Sequence, residues 1–365
     1  MKVPNLFWKH SNFLLIRQIL GIQMTVTRVE NVTISGIVSV LPEIEKLNRD
    51  AVSSQDSQEM ARIVAATGIE SKRVVSQGQT ALDLATKACE LLLSSMDWAE
   101  DDIAILLFVT QTPDYPLPGN AVQLQHRLGL DKNTLAFDIN LGCSGFVYGL
   151  WQISQLLNTL PRSKALLVVG DTTSQQYSEN NRSVSALFGD AVSAIAIENC
   201  KDCDDMVFSL GTDGAGTPYL IQPFGGAKKP DEKFELFMDG MQVFVFTLRE
   251  VPKSIQSCLF EKKWQVNEVD FCVMHQANEM MLKRLGDKVG FAEEQVIISM
   301  RKVGNTSSAS IPLALCLSLS EELLTRKNKL VLSGFGVGWS WGSVALTLDK
   351  LSVCTLIDLS LNSNL

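Results

Sequence analysis

An α/β fold built from two packed halves is the architecture that this 365-residue sequence predicts. Three observations carry the prediction. Apolar runs of strand length alternate with segments of helical spacing. The order strand, helix, strand, Gly turn, helix, strand occurs twice, over 103–172 and again over 269–336. A Gly followed by a polar or reactive residue also stands at the same strand-to-helix junction of each copy: Gly142-Cys143-Ser144 in the first, Gly304-Asn305-Thr306 in the second. Such duplication implies two βαβ-rich halves related by a pseudo-twofold. The site is expected where they meet, at the helix starts beyond the strand ends. The halves are set at 26–200 and 201–350, with an N-terminal extension over 1–25 and a C-terminal tail over 351–365 that has no assigned role.

Each element has its own local reason. Residues 1–23 hold short apolar clusters around Lys9 and Arg17. They fall short of the roughly 20 residues of a membrane span and show no clear signal-peptide core. Met24 is the expected natural start, with an interfacial helix as the alternative. Alternating β-branched residues over 32–40 predict a strand ended by Pro42. Leu82, Ala85, Ala88, Cys89 and Leu92 share one face of a helix over 80–94. The unbroken apolar run 103–109 predicts a central strand covered on both faces. A short helix over 120–128 stops at Gly129. Then come a strand over 135–140, an apolar helix over 144–157, and strands over 165–170 and 191–198. Clustered acids and Gly-Gly over 199–235 predict surface loops. A long helix over 237–260, with Pro252 inside it, precedes the second copy, and 343–348 is the final strand.

The net charge of −8 argues against nucleic acid as a partner, which calls for a concentrated basic face. Of the eight Cys, Cys200 and Cys203 form a lone C-x-x-C. With three His in the chain, further ligands are scarce and no metal site is expected. Cys258, Cys272 and Cys316 lie in apolar runs as core thiols. This usage predicts a reduced, cytoplasmic protein.

Three residues are candidates for chemistry. Cys143 precedes an apolar helix, whose unpaired N–H groups and dipole stabilise negative charge. A free thiol titrates near ~8.5. A helix start and a nearby imidazole lower that value. A buried Cys at a tight turn is the alternative. His275 ends the apolar run 269–274, and its neutral ring can take a proton or donate to an oxyanion. A satisfied His at a strand end is the alternative there. Asn305 after Gly304 is by itself an ordinary helix N-cap. Its correspondence with Cys143 makes it a candidate amide donor. The Gly-rich turn 334–339 lacks the Gly-Lys-Ser/Thr of a P-loop. It supplies either an oxyanion-hole N–H or close packing.

Several separated segments, taken in order over about 26–350, resemble the thiolase-fold condensing enzymes, and among them β-ketoacyl-ACP synthase III. They are Thr67-Gly68-Ile69, Thr112-Pro113-Asp114, Gly142-Cys143-Ser144-Gly145-Phe146, Phe188-Gly189-Asp190, His275-Gln276-Ala277-Asn278, Gly304-Asn305-Thr306-Ser307 and Phe335-Gly336-Val337-Gly338-Trp339. The resemblance implies a five-layered α-β-α-β-α arrangement. It implies that an acyl thioester loads Cys143, with the backbone N–H groups of Cys143 and Gly338 as oxyanion hole. A malonyl thioester on an acyl carrier protein would then lose CO₂. Its enolate, stabilised by His275 and Asn305, would attack the acyl-enzyme. The implied partners are the acyl carrier protein, the acyl thioester and a second copy in a homodimer; no cofactor is implied.

Some positions depart from the family. The Arg five residues after the catalytic His is Met280 here, and a carrier-docking Lys in the 237–260 helix is Val245. Arg73, Arg249, Lys283, Arg284 and Lys288 are then the candidates for a basic mouth, against a solvated helix face. A specialised synthase with an unusual acyl donor follows from these departures. The alternatives are an acyltransferase forming an ester or amide from the Cys143 acyl-enzyme, and a non-catalytic partner subunit. A hydroxymethylglutaryl-CoA synthase type is a further one; it needs a carboxylate base, with Asp114 and Asp190 as candidates.

Overall fold

The computed structural model of this protein describes residues 25–48, 57–160, 163–230 and 235–359. The extension before Thr25, with the expected start at Met24, and residues 360–365 of the tail lie outside the described residues. The strands are β1 (Thr25–Val29), β2 (Val32–Leu41), β3 (Ile44–Leu47), β4 (Ser71–Val74), β5 (Ile103–Val109), β6 (Leu135–Ile139), β7 (Lys164–Asp171), β8 (Ala191–Asn199), β9 (Met206–Thr212), β10 (Leu220–Ile221), β11 (Phe237–Met238), β12 (Phe271–Met274), β13 (Asn328–Gly336), β14 (Ser340–Leu348) and β15 (Val353–Asp358). The helices are α1 (Ser57–Thr67), α2 (Ala81–Met96), α3 (Asn120–Arg127), α4 (Gly145–Leu157), α5 (Arg182–Ser185), α6 (Gly240–Lys262), α7 (Glu279–Val289), α8 (Ser310–Ser318) and α9 (Ser320–Thr325).

Two sheets carry the fold, in the orders β15-β2-β8-β7-β5-β6 and β1-β9-β14-β13-β12. The duplication is visible in them. In each half the opening strand pairs antiparallel with the closing one, which pairs antiparallel with its predecessor: β2-β8-β7 and β9-β14-β13. The next strand then pairs in parallel, β5 with β7 and β12 with β13. The second-half counterpart of β6 is reduced to a single parallel bridge between Cys272 and Val296.

Side-chain alternation along the strands builds five layers. Leu106 and Phe108 of β5 face outward, where they pack with Leu84, Ala88 and Leu92 of α2 and Leu124 of α3. Leu107 and Val109 face inward, to Phe146 and Leu150 of α4 and Ile311 and Leu315 of α8. The same inner cluster takes in Leu332 of β13 and Val344 of β14. On the far side, Val331 and Ala345 of the second sheet meet Val251 and Ile255 of α6 and Leu282 and Leu285 of α7. All seven residues of β5 are buried, as an apolar run covered by helices on both faces requires.

Three features differ from the sequence reading. The boundaries 26–200 and 201–350 do not match the sheets at the chain ends. β1 pairs antiparallel with β9 of the second sheet, and β15, from the unassigned tail, pairs in parallel with β2 of the first. Each half therefore lends its sheet edge to the other. Residues 237–238 form a two-residue strand rather than a helix start. The helix begins at Gly240 because Asp239 caps it, accepting N–H bonds from Met241 and Gln242 at 3.1 Å each. Arg73 is no part of a basic mouth. It is buried, with its guanidinium bidentate on Asp358 of β15 at 2.7 and 2.8 Å and donating also to the carbonyls of Pro42 and Glu43.

The Arg73–Asp358 pair fastens the exchanged strand, and removing one partner leaves a buried charge. Asp358→Ala is expected to lower stability by about 3 kcal/mol, read as the urea midpoint at constant m. An unchanged midpoint would show that the pair does not hold β15.

Candidate active site

The Cys143 turn is set by close packing against the second sheet. A Cβ on Gly334 would lie 2.7 Å from the Cys143 carbonyl oxygen, and one on Gly336 would lie 2.9 Å from its sulfur. Glycine at both positions lets β13 run directly beneath the nucleophile. Close packing is thus one function of the Gly-rich turn, and an N–H donor is the other. The turn is tied across the halves by Ser144 Oγ, 2.7 Å from Ser340 Oγ. Helix α4 starts at Gly145, two residues beyond Cys143.

His275 continues β12, its N–H donating to the Ser333 carbonyl at 2.7 Å. The ring stands edge-on to Phe335, centroids 5.5 Å apart, and its Nδ1 lies 2.7 Å from Ser310 Oγ at the start of α8. Asn305 follows Gly304, whose φ of 75° and close approach to the Leu187 carbonyl leave no room for a side chain. The Asn305 N–H donates to Leu187 at 2.8 Å, and its carbonyl accepts from Gly189 at 3.0 Å.

Ser307 joins the three. Its N–H donates to Asn305 Oδ1 at 3.0 Å. Its carbonyl faces the His275 ring, and its hydroxyl faces the Cys143 sulfur. It does so from a left-handed conformation, φ 51°, while 6% exposed. The Asn305 bond is the N-cap type of contact expected for Asn after Gly, but it also fixes the amide. With Oδ1 occupied, Nδ2 is left as a donor with no partner among the described residues.

The electrostatics are those of a closed site. Burial holds the His275 imidazole far below its usual range, at about 3, with the nearby Ser307 carbonyl acting the other way. The ring is therefore neutral at any ordinary pH. Burial likewise pushes the Cys143 thiol up to about 12, and the Asp171 charge adds to it. The N–H groups of Cys143 and Val337 and the Ser307 hydroxyl oppose that rise. The sequence predicts a lowered thiol pKa, and the structure reverses it. Desolvation outweighs the helix start, and a neutral imidazole brings no charge. The backbone N–H beside the Cys143 sulfur is that of Val337. Because the turn approaches the sulfur at Gly336, the following N–H is the one that arrives.

Two family models match the chain: 3-oxoacyl-[acyl-carrier-protein (ACP)] synthase III over residues 137–214, which include Cys143, and its C-terminal counterpart over 259–348, which include His275 and Asn305. A β-ketoacyl-[acyl-carrier-protein] synthase III from Streptomyces coelicolor is 33% identical over 324 residues, 86% of this chain and 96% of the relative. The chain belongs to the 3-oxoacyl-[acyl-carrier-protein] synthase III family. A synthase III from Streptococcus gordonii is 31% identical over 86% of this chain and 98% of its own length. The solved 3-oxoacyl-(acyl-carrier protein) synthase of Burkholderia xenovorans superposes with a TM-score of 0.89 at 38% identity, covering 92% of this chain and 99% of that one. Synthase III membership makes this chain a condensing enzyme of the acyltransferase class with the layered thiolase-like fold.

Of the five cations that the sequence offers for a basic mouth, four lie at the surface. An open cleft of about 680 Å³ lies between α1 and α7, with Gly68, Glu70, Met280, Lys283, Arg284 and Arg301 among its lining residues. Lys283 and Arg284 are the two predicted docking cations that reach it. Lys283 is paired with Glu279 at 2.7 Å. Arg249 pairs instead with Glu250 at 2.5 Å, and Lys288 donates to the Leu248 carbonyl at 2.8 Å. Cys143, His275 and Asn305 do not line the cleft, although His275 lies four residues before Glu279 and Asn305 four after Arg301. Among the described residues no group of three or more His, Cys, Asp or Glu is placed to hold a metal ion, and no helix is long and apolar enough to cross a membrane.

Sequence reasoning missed Ser307, Val337 and Asp171. The signal for the first was the hydroxyl-rich Thr306-Ser307-Ser308-Ala309-Ser310 directly before an apolar helix, a pattern that marks buried polar contacts.

An imidazole that titrates near 6.5 unfolded and about 3 folded gains a proton on unfolding between those values. Stability present above pH 6.5 is therefore lost as the pH falls toward 3. Replacing His275 by Gln is expected to abolish about 2 kcal/mol of the destabilisation that the parent suffers between roughly pH 7 and pH 5. Urea unfolding at both values reads it, and equal pH slopes for the two proteins would refute a neutral buried ring.

Proposed function

We propose that this chain catalyses decarboxylative Claisen condensation of a loaded acyl group with a malonyl thioester carried by an acyl carrier protein. The observation that supports it is the convergence on Ser307 of a thiol, an imidazole and a carboxamide from three separate elements.

In the first step the Cys143 sulfur attacks an acyl thioester. The bond from the acyl carbon to the leaving thiol breaks, and that thiol departs with the Cys143 proton. A thiol raised to about 12 calls for attack and proton transfer together. The N–H groups of Cys143 and Val337 serve as donors to the transient oxyanion. In the second step the malonyl thioester loses CO₂, and the freed electron pair forms an enolate. In the tautomer in which Ser310 donates to Nδ1, His275 carries its proton on Nε2, and this N–H and the Asn305 amide are two neutral donors for the enolate oxygen. The enolate carbon attacks the acyl-enzyme, Cys143 leaves as thiolate and is reprotonated, and a β-ketoacyl thioester results. Every atom comes from the two thioesters, so the scheme calls for no cofactor.

The cleft bearing Lys283 and Arg284 is the proposed approach for the carrier. All eight Cys are unpaired, which supports the expected cytoplasmic setting. β6 ends the first sheet with Leu135 exposed, and this open edge supports a homodimer formed by strand pairing. The acyltransferase alternative has less support, because it has no use for an amide donor held as Asn305 is.

Cys143→Ala is expected to abolish the acyl adduct seen by intact-mass measurement. Asn305→Ala is expected to load normally but to condense about 10²–10³-fold more slowly; equal losses in both half-reactions would defeat the assigned roles. Sedimentation should give a dimer that Leu135→Lys weakens, and a monomeric parent would refute the pairing edge.

A further inference from the structure

Asp171 ends β7 and is 1% exposed. A carboxylate removed from water this completely is costly unless its oxygens are satisfied. No cation pairs with it among the described residues. Three neutral donors hold it instead. Thr110 Oγ1 and the Gln111 N–H donate to Oδ1 at 3.0 and 2.6 Å, and Ser308 Oγ donates to Oδ2 at 3.2 Å. Thr110 and Gln111 form the turn after β5, in the first half. Ser308 belongs to the Asn305 segment, in the second.

Both partners lead to the nucleophile. The Gln111 side chain lies over Gly142, and Ser308 lies against Gly145, the two glycines that flank Cys143-Ser144. A carboxylate accepts at two oxygens and donates at none when charged, so it can draw hydroxyl and N–H groups from two directions to one point. Neither Asp114 nor Asp190 occupies such a place. Asp114 meets Thr80, and Asp190 is held by Val75 and Ser174.

We propose that Asp171 is a positioning residue of the condensing site, whose carboxylate fixes the Asn305–Ser308 segment against the Cys143 turn so that the enolate forms within reach of the acyl-enzyme. The assignment rests on the condensing reading above. Its charge has a second effect: it opposes ionisation of the Cys143 thiol. It is the charged group acting there, since His275, facing from the end of β12, is neutral.

Two variants and two readouts test this. Asp171→Asn keeps the shape, loses the charge and can no longer accept at both ends. Condensation should fall by about 10²-fold with acyl loading retained, and the pH profile of Cys143 alkylation by iodoacetamide should move about one unit lower. Asp171→Glu keeps the charge but displaces it, so condensation should stay low while the alkylation profile stays near the parent's. Condensation at the parental rate in Asp171→Asn would overturn the proposal. So would parallel loss of loading and condensation with an unmoved alkylation profile and a lowered unfolding midpoint, the result of a merely structural role. The alkylation arm needs no turnover, so it reads Asp171 even if the parent forms no β-ketoacyl product, a result that would count against the condensing reading itself.

Discussion

A single left-handed residue, Ser307, lets three polar side chains share one buried point. Non-glycine residues enter that region at a cost of roughly 1–3 kcal/mol, and they persist there when surrounding contacts over-determine them. Around Ser307 the contacts are many. Its N–H bonds Asn305, while its carbonyl faces the His275 ring and its hydroxyl the Cys143 sulfur. Relaxing the backbone would move all three groups together, so the strained conformation and the site geometry stand or fall as one.

The cluster is reactive because of where the fold puts it. Two apolar helices, α4 and α8, lie between two sheets, and the residues just ahead of them form the site. Water is largely excluded there. Desolvation lowers the imidazole and raises the thiol, so the resting site holds neutral groups. In such surroundings a neutral N–H donor stabilises a developing oxyanion more than it would in water, because nothing competes for the bond. Asp171 is the exception: a buried acid satisfied by hydroxyl and amide groups from both halves.

The two halves are also interlocked at their edges. β1 completes the second sheet and β15 the first, and Arg73 clamps the latter through Asp358. This exchange ties the relative position of the sheets to both chain ends. The distance between a thiol in one half and an imidazole and amide in the other depends on that relation, so strands remote from the chemistry still hold its geometry.

Much of this was legible in the sequence. The unbroken apolar run of β5, the apolar helix after Cys143 and the repeated Gly-x junction gave the α/β class, the duplication and the three central residues, because burial on both faces leaves a periodic imprint on local composition; the five layers came from the family resemblance. The sequence also marked the long helix around Pro252, though not its start, the loop-rich 199–235 segment and the departures at Met280 and Val245. Tertiary structure alone decided the rest. Arg73 was chosen for a lattice of buried contacts rather than a basic mouth by β15, some 285 positions away. The Val337 N–H lies beside the sulfur because β13 passes closest at Gly336. Asp171, Ser307 and Ser308 took their roles from partners in the opposite half. Local sequence records what a residue must be surrounded by. Which backbone group arrives, and how far desolvation shifts a proton, is set by segments distant in the chain.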